Sequence, residues 1–112
     1  MRAAVLLLLL GAAPADGFEA FWAAFRPAAV AGDAKAITAR TRTPFLFEGR
    51  SLDAAGFKAA VPRLFDASVK ACFRTGKLVT EGGQRLLFCR GTIFVFEEVG
   101  GGWRFTEIGV DD

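Results

Sequence analysis

Large apolar residues recur every three or four positions in the first half of the chain, which is the spacing of one face of an α-helix. The first such stretch extends from Phe18 to Val30. Its apolar positions are Phe18, Phe21, Trp22, Phe25 and Ala29. Pro27 lies inside the stretch and predicts a kink or a break near Arg26, because proline removes a backbone hydrogen bond and clashes with the preceding turn. Gly32 predicts the end of this helix, since glycine readily adopts the left-handed conformation found there.

Shorter elements follow the first helix. Asp33 is a candidate N-cap for a second helix that extends to about Ala39. Residues 45–47, Phe-Leu-Phe, predict a short strand that Gly49 closes.

A third helical stripe begins near residue 51. Ser51 predicts its N-cap and Asp53 its first turn, where the helix dipole favours a negative charge. The apolar positions of the stripe are Leu52, Phe57, Ala60, Val61, Leu64 and Phe65. Pro62 predicts two helices, one that ends near Ala60 and one that restarts with the proline in its first turn. The pattern leaves open whether residues 66–73 continue the second helix or form a strand.

From Lys77 onward the apolar spacing changes to that of strands, interrupted by glycines. Predicted strands cover residues 77–79, 85–90, 92–99 and 103–110, and the glycines at 100–102 predict a hairpin turn. Strict alternation places Phe105 and Glu107 on the same face of the last strand. Helices followed by antiparallel strands predict an α+β fold with the helices packed on one face of the sheet.

The order of these elements and several of their residues resemble the NTF2-like superfamily. The matching segments are residues 21–25, the turn at Gly32-Asp33, the strand 45–47 with Gly49, the helix 57–65, and the hairpin segments 91–96 and 102–105. The resemblance implies a cone, in which N-terminal helices pack on a curved antiparallel sheet with room for an apolar cavity. It implies no particular activity, because folds of this type carry both enzymes and non-catalytic modules.

The first fifteen residues, MRAAVLLLLLGAAPA, have the order of a secretory signal peptide: a basic residue, a short apolar run and an A-x-A ending. We expect cleavage after Ala15, so that residues 16–112 form one small domain in the periplasm or outside the cell. An uncleaved membrane anchor is the alternative, but Asp16 and Glu19 interrupt the apolar run before the roughly 20 residues that a spanning helix needs. A lipid anchor is not expected, because neither cysteine lies near the signal.

Charge and composition exclude several kinds of partner. Without Arg2 the 14 basic residues become 13 against 12 acidic ones, and the basic residues are scattered singly. Neither nucleic acid nor an acidic membrane surface is therefore expected as a partner. The chain has 12 Phe and 2 Trp but no Tyr and no His. Because His is the commonest metal ligand and two cysteines do not complete a zinc site, neither a metal nor another cofactor is expected.

The two cysteines are expected to form a disulfide in an oxidising compartment. A bond between Cys72 and Cys89 would close a loop of about 17 residues and stabilise the domain by roughly 3 kcal/mol. The alternative is two buried free thiols that act as small apolar side chains.

No catalytic residue can be assigned from the resemblance. NTF2-like enzymes such as ketosteroid isomerase combine a carboxylate base with a Tyr and a protonated Asp in an apolar pocket, and others use His. This chain lacks Tyr and His. The carboxylates nearest the expected cavity are Asp53, Glu97, Glu98 and Glu107; helix capping explains the first, and a solvated pair explains Glu97 and Glu98.

The aromatic residues favour a ligand pocket, although a small domain needs the same rings to fill its core. The candidate pocket residues are Trp22, Phe47, Phe88, Arg90, Phe96, Trp103 and Phe105, with Arg90 as an anchor for a ligand carboxylate. The sequence thus predicts an exported, non-catalytic module that binds a small apolar ligand or an envelope protein, with a homodimer through the sheet as a further expectation. The alternative is an isomerase or hydro-lyase that acts through a lone carboxylate. An envelope inhibitor or stress factor is a third interpretation, and no feature of the sequence specifically supports it.

Overall fold

The computed structural model describes residues 17–110, and within this range four helices and six strands form an α+β fold. The helices are α1 (Phe18–Ala31), α2 (Ala34–Ala39), α3 (Ala54–Leu64) and α4 (Ala67–Thr75). The strands are β1 (Phe45–Phe47), β2 (Arg50–Leu52), β3 (Val79–Glu81), β4 (Gln84–Cys89), β5 (Thr92–Val99) and β6 (Gly102–Val110). The expected signal peptide lies outside the described residues. None of the helices in the described range is long and apolar enough to cross a membrane.

Strands β3 to β6 form a four-stranded antiparallel sheet in chain order, while β1 and β2 form a separate hairpin. Gly100 and Gly101 both have positive φ and make the two-residue turn between β5 and β6, as the run of glycines predicts. The free side of β6 is partly covered by residues 40–42. There the N–H of Arg42 donates to the carbonyl of Phe105 at 2.9 Å, and the N–H of Phe105 donates to the carbonyl of Arg40 at 3.0 Å.

A β-bulge changes the side-chain alternation in β6. Phe105 lies opposite Phe96 and Glu107 opposite Val95, so Thr106 is an extra residue between the two pairs. The expectation that Phe105 and Glu107 share a face is therefore wrong. Phe105 is fully buried and Glu107 is exposed.

Aspartates begin three of the helices. Asp33, Asp53 and Asp66 each accept a hydrogen bond from the backbone N–H three residues further on, at 3.1, 2.8 and 3.0 Å respectively. The cap predicted at Asp33 is confirmed. Ser51 was expected to cap α3, but it pairs with Leu46 in the β1–β2 hairpin and the cap is two residues later.

Neither proline breaks its helix where the sequence predicts. Helix α1 continues through Pro27 to a left-handed cap at Gly32, and α3 continues through Pro62 to Leu64. Both prolines are exposed on helices whose opposite faces are buried, so core packing outweighs the backbone hydrogen bond that each proline removes. The prediction of two helices within residues 52–65 is therefore wrong, because a single helix, α3, covers this stripe. Asp66 starts a separate helix, α4, so residues 66–73 are not a strand.

The space between the helices and the sheet is filled by phenylalanine rings. Phe105 illustrates this packing, because its ring centroid lies 4.9–6.2 Å from those of six others. These are Phe25, Phe45, Phe57, Phe65, Phe94 and Phe96. Such distances are typical of aromatic pairs in contact.

Cys72 in α4 and Cys89 at the end of β4 lie at disulfide-bonding distance, with their Cα atoms 5.8 Å apart. The pairing predicted from the sequence is confirmed. The bond ties the last helix to the sheet on which it packs.

Candidate functional site

A surface groove of about 510 Å³ extends along α1 at the place where α4 packs against it. This volume is within the range of about 300–1,000 Å³ that small-molecule sites occupy. The lining residues are Trp22, Ala23, Arg26, Pro27, Val30 and Ala31 from α1 and Arg74 from α4. The lining residues on α1 are adjacent pairs that repeat every four positions, at 22–23, 26–27 and 30–31. Residues four positions apart lie on the same side of a helix, so these pairs form a single side of α1. From the first to the last they span ~13 Å at 1.5 Å per residue.

Trp22 forms one end of the groove and is held in place by the core. Its ring centroid lies 5.3 Å from that of Phe96 in an edge-to-face arrangement, and 5.8 Å from that of Phe73. The side chain is half-buried, so part of the indole is available to a ligand. Between Trp22 and Val30 the small exposed side chains of Ala23 and Pro27 leave the groove shallow and open.

Arg26 joins the two helices that border the groove. Its Nε donates to the carbonyl of Phe73 at 2.9 Å, and its Nη2 donates to the carbonyl of Arg74. These carbonyls belong to the last turn of α4. The carbonyls of a last turn have no N–H partner within their own helix. The guanidinium therefore caps α4, and it also brings a fixed positive charge to the groove.

The charged side chains that line the groove are all cationic. Arg74 is exposed beside Arg26, and no carboxylate lines the groove. Within residues 17–110 there is one ion pair, between Arg63 and Glu48, and it lies away from the groove. Its Nη2 and Oε1 atoms are 3.0 Å apart. The groove thus combines apolar surface with positive charge that no acidic side chain of the described residues neutralises.

The seven residues predicted to line a pocket are dispersed. Phe96 and Phe105 are fully buried in the ring-filled core, and Trp103 is buried at 5% exposure. Phe47 lines a smaller cavity of about 200 Å³ between the β1–β2 hairpin and α3. Phe88 and Arg90 are exposed on β4 and in the turn that follows it. Trp22 alone among the seven lies in the groove.

The four candidate carboxylates likewise do not converge on one site. Asp53 caps α3, and Glu98 and Glu107 are exposed. Glu97 is half-buried, where its carboxylate accepts hydrogen bonds from the hydroxyl of Thr106 at 2.6 Å and from Nε2 of Gln84 at 3.1 Å. These two hydrogen bonds hold the pKa of Glu97 below its ordinary value. Burial acts in the opposite direction and raises the pKa, while the charge of Arg42 lowers it by a smaller amount.

A carboxylate that is stabilised in its ionised form is a weaker proton acceptor than an ordinary one. Within the described residues every Asp and Glu is exposed or half-buried, and none lies in an enclosed apolar pocket. The described residues therefore provide no buried carboxylate of the kind that an isomerase or hydro-lyase acting through a lone carboxylate would use. The same range contains no group of three His, Cys, Asp or Glu side chains that could hold a metal ion.

Sequence reasoning identified Trp22 but missed the two arginines. Arg26 and Arg74 are separated by 48 residues, and their proximity depends on how α4 returns to α1. A local signal was nevertheless present, since Ala23, Pro27 and Ala31 recur every four residues beside Trp22 and Val30.

Comparison of the chain with protein-family models, curated proteins and solved structures gives no match. The groove is therefore interpreted from its own residues.

Proposed function

We propose that this chain is an exported, non-catalytic binding module that holds a small apolar ligand in the groove along α1. The observation that carries the proposal is the composition of the groove: a tryptophan fixed by core rings, small apolar side chains beside it, and charged groups that are exclusively arginines. Arginine stays protonated in proteins, so it is suited to binding and not to proton transfer. No side chain that lines the groove is a ready nucleophile or base.

The proposed fold is the NTF2-like cone. Helices that precede an antiparallel sheet in chain order support it, as does the packing of the helices against one face of that sheet. In this chain phenylalanine rings occupy the space that a cone would enclose. A ligand-binding role therefore falls to the outer surface of α1 and not to an internal cavity.

Export is supported by two features. Residues 1–15 have the pattern of a signal peptide, and the Cys72–Cys89 pair at bonding distance is typical of proteins in an oxidising compartment. Sequencing the N-terminus of the protein recovered from the periplasm tests this part of the proposal. We expect Asp16 as the first residue, and an intact Met1 in a membrane fraction would contradict cleavage.

The homodimer expected from the sequence stays a prediction. Its candidate surface is the sheet face away from the helices, where Val79 is 46% and Phe88 44% exposed beside the buried Leu86 and Val95. Light scattering on the purified protein checks it, and a monomeric mass at high protein concentration would contradict it.

A groove-filling variant tests the binding function. Ala31 is exposed and lines the groove, so Ala31→Phe should occupy the groove without disturbing the core. We expect it to weaken binding of decanoate and decanol, which are probes of apolar surface, at least tenfold when followed by tryptophan fluorescence. The matched control is Ala55→Phe, at an exposed alanine of α3 that lines none of the cavities described above. If both probes fail to bind the unaltered protein, or bind the two variants equally, the groove is not the ligand site.

A further inference from the structure

We infer that the ligand of the α1 groove is an anionic amphiphile, such as a small apolar carboxylate, and that Arg74 pairs with its charged group. This inference rests on the proposed function of the groove and adds the chemical class of the ligand. It is drawn from the charges around the groove and from the different hydrogen bonding of its two arginines.

The first step is the sign of the local charge. Glu19 lies one turn before Trp22 and seven residues before Arg26, which is ~10 Å along a helix axis. Asp33 follows the end of α1, and its carboxylate caps α2. Along α4 the nearest acidic residue is Asp66, eight residues before Arg74, and its carboxylate caps the helix N-terminus. Lys70 lies one turn before Arg74, with its ammonium next to Gly32 at the end of α1. The two charged side chains that line the groove itself, Arg26 and Arg74, are both basic.

The second step concerns Arg26. Its guanidinium donates to two backbone carbonyls, which fix the side chain but are neutral and leave its charge uncompensated. Arg26 thus contributes a positive potential at a fixed position. Because its Nε and Nη2 are engaged, it is less suited than its neighbour to grip a ligand with two parallel hydrogen bonds.

The third step concerns Arg74. Its side chain is exposed at the rim of the groove, and the described residues offer it no carboxylate partner. A guanidinium binds a planar carboxylate through two parallel N–H donors, which makes arginine specific for such groups. The apolar part of the ligand would then lie on Trp22 and across Pro27, where apolar surface is removed from water.

The volume of the groove limits the ligand to a small molecule. About 510 Å³ suits a compound of modest size, and ~13 Å of groove suits a short alkyl or aryl group. An apolar acid satisfies both the apolar surface and the positive rim, whereas a neutral lipid would leave the arginines unused and a cationic amphiphile would be repelled.

Three ten-carbon probes that differ in their head group test the inference. Dissociation constants of decanoate, decanol and decyltrimethylammonium are measured on the purified protein by tryptophan fluorescence and calorimetry. The two ions are kept below their micelle concentrations, and decanol is kept below its solubility limit. We expect decanoate to bind about five- to tenfold more tightly than decanol, as for a partly exposed charge-assisted contact. The cation should bind more weakly than either, and added salt should reduce the advantage of decanoate.

Variants of Arg74 separate a pairing role from a general charge effect. Arg74→Gln should bring decanoate affinity down to that of decanol while decanol binding stays unchanged, and Arg74→Glu should reverse the preference toward the cation. The control is Arg90→Gln, at an exposed arginine that the sequence alone put forward as a carboxylate anchor. Equal binding of decanoate and decanol to the unaltered protein overturns this inference and leaves the groove as a ligand site. A loss of decanoate binding in Arg90→Gln but not in Arg74→Gln overturns it as well. Failure of all three probes overturns the proposed function instead.

Discussion

The Nε of Arg26 in α1 donates a hydrogen bond of 2.9 Å to the carbonyl of Phe73 in the last turn of α4. Arg26 and Phe73 are 47 residues apart in the chain, so this contact fixes the position of α4 against α1. The same contact defines one wall of the groove.

Replacing Arg26 with methionine should lower the free energy of unfolding by about 1–2 kcal/mol, because two carbonyls of α4 lose their donor. Methionine retains much of the apolar stem, so the change chiefly removes the hydrogen bonds. Urea denaturation measures the effect. Arg74→Gln is the control, since it removes an exposed arginine from the same groove and should change stability by less than ~0.5 kcal/mol. Equal losses in the two variants would contradict a capping role for Arg26.

Removing the bond between Cys72 and Cys89 should cost about 3 kcal/mol, as expected for a loop of this length in the unfolded chain. The double variant Cys72→Ala/Cys89→Ala is compared with the unaltered protein by denaturation with and without a reductant. The reductant should destabilise the unaltered protein and leave the double variant unaffected. Identical transitions for the unaltered protein under both conditions would mean that the cysteines are not bonded.

Two phenylalanines of the same sheet should respond very differently to truncation. Phe105→Ala removes a fully buried ring that touches six others and should cost about 3–5 kcal/mol. Phe88 is 44% exposed, and Phe88→Ala should cost about 1 kcal/mol or less. Denaturation midpoints measure both losses. A small effect at Phe105 would indicate that its ring borders a cavity and not a filled core.

Acid should destabilise the protein partly through Glu97. Its pKa is lowered in the folded state by the hydrogen bonds from Thr106 and Gln84. The resulting stabilisation is complete above the pKa of the unfolded chain, about 4.3 for Glu, and is lost as pH falls through the lower folded-state value.

A titration of the Glu97 side chain by NMR checks this effect. Thr106→Val should raise the pKa of Glu97 toward its ordinary value and flatten the acid side of the stability curve. The control is Thr80→Val, at an exposed threonine of β3. If Thr106→Val leaves the titration unchanged, the hydroxyl does not stabilise the carboxylate.

Much of the fold could be predicted from local patterns. The helix of residues 18–31, the cap at Asp33 and the glycine turn between β5 and β6 each follow from residue types within one or two turns of chain. The continuity of α1 through Pro27 could not be predicted, because it depends on the burial of the opposite helix face by distant residues. The bulge at Thr106 is likewise invisible to an alternating pattern, since one extra residue shifts every later side chain to the other face.

Less of the candidate site could be predicted. Trp22 was identified by its residue type, but Phe96 and Phe105 proved to be core and Arg90 lies away from the groove. The pairing of Arg26 with the end of α4 joins segments that no local rule connects. The parts of the candidate site that depend on long-range packing could not be predicted from the sequence, whereas the core was predicted best where a helix or strand has one apolar face.

The backbone segment at residues 40–42, which lies beside β6, has a consequence for solubility. An uncovered strand edge is a template for strands of other chains and a common starting point of aggregation. Here residues 40–42 occupy part of the β6 edge through backbone hydrogen bonds to Phe105. At the opposite edge β3 is three residues long and carries Glu81. The cover at Phe105 shortens the exposed part of the β6 edge, and β3 is a short edge strand, so both edges of this small sheet offer fewer free backbone groups to the strands of other chains.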